Sequence, residues 1–162
     1  MATWSDFAAA APALEEAGRS LLFQFGVGLA FLATVRPDGG PRLHPVCPFL
    51  SGGRLCVLIQ PGSPKRHDLE RDGRYALQSF PPPRKESEEL YVTGRARRID
   101  DGATFERAYA DARHMKEPDE ILFELDVEQV MHTTWPDWGT PRMRAVHARW
   151  RAGGEERRST GP

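Results

Sequence analysis

The stretch Pro61-Gly62-Ser63-Pro64-Lys65-Arg66 holds the densest chemistry in this 162-residue chain. It lies between an apolar run, Leu55 to Ile59, and a segment that reads as a helix from Ser63 to Arg71. A helix N-terminus leaves backbone N–H groups unpaired and carries partial positive charge. A hydroxyl at Ser63 and full charges at Lys65 and Arg66 would complete a site for a phosphate monoester. The same residues also satisfy a plainer reading, in which Ser63 is an N-cap and the two bases are solvated.

Other polar residues carry weaker signals. His44 follows Arg42 by two positions, so a regular strand would put both on one face. His44 there could hydrogen-bond a ligand or serve as a structural histidine. The remaining histidines, His67, His114, His132 and His147, show no metal-ligand spacing, and no metal is expected. No Ser/His/Asp or Cys/His constellation assembles from local sequence. Gly26-Val27-Gly28 is not a dinucleotide fingerprint, because it follows a helix, precedes a strand and lacks the third glycine. The two cysteines, Cys47 and Cys56, sit in neighbouring strand-like runs; a cross-strand disulfide is conceivable, but free buried thiols are the better reading.

These residues need a scaffold. A short alanine-rich helix capped by Ser5 or Asp6 is followed, past Pro12, by a second whose apolar positions are Leu14, Ala17, Leu21, Leu22 and Phe25. Strands are expected over Leu29–Val35, Pro41–Leu50, Leu55–Ile59, Tyr75–Phe80, Leu90–Ile99, Ile121–Leu125, Gln129–Thr134 and Ala145–Arg151. Pro45 and Pro48 cannot donate ladder bonds, which implies an edge, a bulge or backbone facing something other than a strand. Gly94 marks a bulge, and Asp101 caps a helix over Asp100–Arg113. Arg84–Glu88 reads as a charged, mobile loop. Hairpin-linked short strands with a few inserted helices argue for a small β-barrel with α additions.

Composition narrows the partners. With 22 basic and 23 acidic residues, no overall field draws the chain to nucleic acid or membrane. No apolar run approaches the roughly 20 residues of a membrane span, and no signal peptide is evident. A cytoplasmic protein is expected.

The order hairpin strand, glycine turn, apolar strand, Gly-Ser-x-Lys, short helix, Asp-Gly-Arg, strand resembles the FMN-binding split β-barrel family typified by pyridoxamine 5′-phosphate oxidase. The likeness runs through LATVRPDGGPRLHPV, VLIQPGSPKRHDLERDGRYAL and YVTGRARRI, from about Gly28 to Ile99. It implies a mainly β fold with α additions, a six- to seven-stranded antiparallel split β-barrel. Residues 1–28 would form a helical segment on the barrel, 29–152 the FMN-binding domain, and 153–162 a polar, disordered tail. It also implies a homodimer with flavin sites at the subunit interface.

By the same resemblance His44, Pro45, Val46 and Cys47 would line the flavin, and Leu58 and Ile59 would lie against its ring or ribityl chain. Ser63 and Lys65 would bind its phosphate, with Arg66 as a helper. Gln78, Ser79 and Glu89 would reach the cofactor from either chain, and Trp150 would stand beside the site. Two departures bear on substrate: where the oxidase has a lysine that holds the substrate phosphate, this chain has Phe49, and the arginine and histidine that follow the oxidase's tryptophan are missing, Trp150 being followed by Arg151-Ala152-Gly153. The expected function is therefore FMN-dependent oxidation or reduction of a small molecule other than pyridoxamine phosphate. The alternatives are an F420-dependent reductase, its anionic tail met by Lys65, Arg66, Arg84 and Lys85, and a non-catalytic flavin- or haem-binding module.

Overall fold

The computed structural model describes residues 1–83, 87–113, 117 and 119–161. Runs of β-branched and aromatic residues divided by glycine-bearing turns give nine strands among them, all paired antiparallel, where six or seven were expected. They are β1 (Ala30–Val35), β2 (Pro41–Val46), β3 (Phe49–Ser51), β4 (Arg54–Ile59), β5 (Arg74–Ser79), β6 (Glu88–Arg98), β7 (Ile121–Thr134), β8 (Val146–Arg151) and β9 (Arg157–Thr160). The helices are α1 (Trp4–Ala10), α2 (Pro12–Leu22), α3 (Pro64–Arg71) and α4 (Gly102–Asp111). No helix among the described residues is long and apolar enough to cross a membrane.

The strand order is β2-β1-β5-β6-β7-β4-β3, with β8 on β7 and β9 on β8. The single strand expected over Pro41–Leu50 is broken at Cys47-Pro48 into β2 and β3. Those two strands form opposite ends of the main order, so two residues of chain join its edges and the sheet must curl around a core. Pro45 and Pro48 fit this break: Pro45 lies on the end strand and Pro48 between the strands. A Cβ at Gly28 would fall 1.7 Å from the Pro48 carbonyl oxygen, so only glycine lets the two segments approach.

Three other expectations give way. Ile121–Leu125 and Gln129–Thr134 are one 14-residue strand, because Glu128 is accommodated as an extra residue in the register shift opposite Thr93/Gly94. A Cβ on Gly94 would fall 1.8 Å from the Asp126 carbonyl oxygen. The second helix ends at Leu22, and Phe25 lies exposed in the following loop. The tail expected to be disordered from Gly153 carries β9, which pairs with β8 from Arg149↔Arg157 to Val146↔Thr160.

Inside the curl, Leu32, Leu77, Leu90, Val92, Val130 and Trp150 pack with Trp4, Phe7, Leu14 and Leu21 from the N-terminal helices. A second apolar cluster, Phe49, Cys56, Leu58 and Leu122, is covered by Ala108 and Ala112 at α4. The outer face of the sheet is read from the register. One row runs Pro45, Phe31, Gln78, Tyr91, Met131, Arg149, Arg157, and the next Leu43, Ala33, Ala76, Thr93, Gln129, Arg151. It is apolar at the β2 end and basic at the β9 end.

Candidate functional site

The corner between β4 and α3 is shaped by what Ser63 does not do. It occupies the N-cap position of α3, yet its side chain makes no capping hydrogen bond, and no acidic residue stands in the first turn. Its hydroxyl instead accepts a bond from Lys65 Nζ at 3.1 Å. Lys65 is half-buried, and burial pushes its pKa down. It has no carboxylate partner among the described residues. A partly desolvated ammonium at a helix N-terminus is a place where an anion is favoured, although Pro64 has no N–H to offer and the Arg66 N–H already donates to the Ser63 carbonyl at 3.0 Å.

His44 belongs to the same corner. Burial lowers its pKa, and the nearby charges of Lys65 and Arg42 lower it further, against the opposing pull of Asp68. Arg42 does share the half-buried face with His44, but it is committed: its Nε donates to Asp68 Oδ2 at 2.7 Å. Asp68 is buried on α3 and also accepts from Thr34 Oγ1 at 2.9 Å and Arg71 NH1 at 3.3 Å. Burial alone would raise its pKa, and the three donors hold it below the ordinary value instead. Asp68 thus rivets α3 to β1 and β2, which is how Lys65 comes to stand near His44. Nothing in the local sequence marked it, because its partners come from three separate segments.

The other expected residues divide. Arg66 is tied back, with Nε donating to the Pro61 carbonyl at 2.8 Å and NH1 to Glu70 at 2.7 Å, so it holds the Pro61 loop in place and is not a free base. Gln78 and Glu89 meet on the outer face, where Gln78 Nε2 donates to Glu89 Oε2 at 3.0 Å. Ser79 is buried, and its Oγ accepts from the Leu90 amide. Val46 and Ile59 belong to the main core, whereas Leu58 faces the α4 cluster, so Leu58 and Ile59 do not present one surface. Pro45 points to the outer face with Phe31. Cys47 sits half-buried at the strand break with its thiol pKa raised by burial and by Glu120; both cysteines are free thiols. Trp150 is 2% exposed and its ring packs 5.2 Å from Phe7, because its position on β8 turns it into the core opposite Val130. Arg84, Lys85 and His114 lie outside the described residues.

A cavity of about 440 Å³ opens one residue beyond Cys47. Phe23, Pro48 and Phe49 give it apolar walls, and Arg19, Arg113 and the carboxylate of Asp111 bring charge to it. Arg19 is paired to Glu15 at 2.5 Å, whereas Arg113 has no partner among the described residues. The cavity is built by α2, the following loop, the strand break and the end of α4, so no motif announced it. The half-buried, anion-favouring corner and the apolar-walled cavity thus lie near the two ends of the stretch His44 to Phe49.

A family model described as pyridoxamine 5′-phosphate oxidase matches residues 21–146, a span holding the corner, the strand break and the whole sheet as far as β8. The chain belongs to that family. No functionally curated protein matches it. Solved structures share the fold at low identity. PhzG from Burkholderia lata 383, in complex with tetrahydrophenazine-1-carboxylic acid, is 11% identical with a TM-score of 0.62, over 93% of this chain and 91% of PhzG. A pyridoxamine 5′-phosphate oxidase-related, FMN-binding protein from Nostoc punctiforme is 17% identical, TM-score 0.60, over 100% and 98%. A haem-binding protein from Mycobacterium smegmatis is 18% identical, TM-score 0.57, over 78% of this chain but only 55% of its own length. At such identities the likeness is one of fold, and the proteins that share it have different ligands.

Proposed function

We infer that this chain binds FMN as a homodimer and uses it to oxidise or reduce a small molecule other than pyridoxamine phosphate. The observation that carries this is the half-buried Lys65 ammonium, with no carboxylate to match it, hydrogen-bonded to a Ser63 hydroxyl that caps nothing. A phosphate monoester would supply the missing charge and accept from Lys65, Ser63 and the start of α3. His44, neutral through its lowered pKa, adds a hydrogen-bonding group without a second full charge. When bound, the flavin supplies the hydride or electron chemistry, while the protein orients it and excludes water.

The cavity beyond Cys47 suits the substrate. Its aromatic walls favour an apolar body, and Arg113, beside an Asp111 that already accepts from Ser51 at 2.7 Å, favours at most a single acid group over a phosphate ester, since Phe49 brings no charge. The ligand of PhzG is a molecule of that kind. The apolar half of the outer face, Leu43, Pro45, Phe31 and Ala33, supports the dimer: Leu43 is 63% exposed and Phe31 stacks on Phe80 with ring centroids 4.2 Å apart. A cytoplasmic setting agrees with two free thiols. F420 and haem are the competing ligands. An absorption spectrum of the purified chain, with mass spectrometry of what it carries and titration with each of the three, tests the reading: absence of any flavin uptake overturns it.

A further inference from the structure

The basic end of the outer face stands beyond Met131, away from the Lys65 corner. Arg149 of β8 lies directly across from Arg157 of β9, and Arg151 follows Arg149 on the same face. Like charges directly opposed on adjacent strands destabilise a ribbon unless something lies between them. Many arginines of the fold meet a carboxylate, as in Arg42–Asp68, Arg74–Asp72 and Arg97–Glu124, and in this groove Arg158 meets Glu156 at 3.2 Å, but its three neighbours on the outer face do not. Arg149 donates to Ser159 Oγ at 3.1 Å and Arg151 to Gln129 Oε1 at 3.2 Å, both neutral acceptors, and Arg157 has no partner among the described residues. The three line a groove of about 760 Å³ closed at one end by the Gly153-Gly154 turn, where Glu155 is its acidic residue.

We propose that this groove is a second anion site, taking the diphosphate of a nucleotide. Arg149 and Arg157 are directly opposed, with Cα atoms about 5 Å apart, and Arg151 lies roughly 7 Å along the strand, so three arginines border one groove in which a diphosphate would replace the neutral acceptors of Arg149 and Arg151. The groove has the volume of a nucleotide-sized ligand. A nucleic-acid strand is disfavoured, because the chain as a whole carries 22 basic against 23 acidic residues and offers a strand no longer basic track. Glu155 disfavours a third phosphate. The site is independent of the flavin reading.

Calorimetric titration at low salt tests it, with the full chain saturated with FMN so that the Lys65 corner is filled. ADP and inorganic pyrophosphate should compete for one site per chain, and adenosine should not bind. Arg157→Glu should weaken ADP at least about tenfold, the scale of one charge-assisted hydrogen bond. Its melting temperature should hold or rise, because the new carboxylate faces Arg149. A merely structural arginine would give the opposite pair of results. Unchanged ADP affinity in Arg157→Glu overturns the proposal, as does conversion of a dimer to monomer by that variant, which would make the arginines a subunit contact. If the chain takes up no FMN, the same titration on Lys65→Ala keeps the corner silent, so failure of the flavin reading leaves this result intact.

Discussion

The two halves of α3 are built from the same kinds of residue and do opposite things. At its C-terminal half the buried carboxylate of Asp68 receives donors from Arg42, Thr34 and Arg71, and Arg71 also reaches the Val35 carbonyl. At its N-terminal half, three residues earlier, the ammonium of Lys65 meets a single neutral hydroxyl. One charge is matched by the fold and the other is left for something outside it. A buried charge is tolerated only when it is paired, so the matched end is where the helix is held and the unmatched end is where the proposed phosphate would bind.

Removing the matched end should have the largest effect. Asp68→Asn leaves Arg42 and Arg71 facing a neutral amide and should lower stability by about 3 kcal/mol, read as a fall in the urea midpoint. It should also change the acid limb. The folded pKa of Asp68 lies below its unfolded value, so its contribution is full above about pH 4 and is lost as pH falls through the folded value. The variant should therefore lose less stability than the parent on acidification. An unchanged acid limb would show that Asp68 is not the rivet.

Removing the unmatched end should reverse the pattern. Lys65→Ala should weaken FMN about tenfold to a hundredfold while the ligand-free melting temperature stays level or rises, since a desolvated cation is lost. Equal affinity in a fluorescence titration would place the phosphate elsewhere. Together the two variants separate what holds α3 from what α3 offers.

The sequence showed one of these ends and concealed the other. Ser63 and Lys65 are local, so spacing and helix logic found them; Asp68 needed Thr34 and Arg42, 34 and 26 residues away, to reveal its role. The same distinction explains the fold. Hairpin turns, the Gly94 bulge and the Asp101 cap are written in adjacent residues and were legible. The break at Cys47-Pro48 was legible only as two prolines without a ladder, because it depends on Gly28 approaching from another segment. β7 read as two strands since Asp126 and Glu128 interrupt its apolar pattern, yet Val127 between them is anchored by backbone bonds with Ala2. The burial of Trp150 against Phe7 was not legible, because a resemblance fixes a position in sequence and not the face on which a strand presents it.

The outer face extends the comparison to the subunit level, with a smaller effect on the chain itself. Leu43→Glu changes a residue that is 63% exposed and packs little within one chain. Stability measured under monomeric conditions should move by no more than about 0.5 kcal/mol, while sedimentation should shift from dimer to monomer. A dimer that survives the change would move the contact off this face.

The smallest effect concerns His44, which stands between the matched and unmatched ends and feels both. Its lowered pKa keeps it neutral at pH 7, so His44→Gln should weaken FMN only about threefold, the scale of one neutral hydrogen bond. The sign with pH is what identifies it. As pH falls through the depressed value, His44 gains a proton beside Lys65, and a bound phosphate would favour that second cation. FMN should therefore bind the parent progressively better than His44→Gln on acidification. The difference between the two chains also removes the titration of the phosphate itself. A constant ratio across that range would leave His44 a structural residue of β2 and Lys65 the only charge that answers to the ligand.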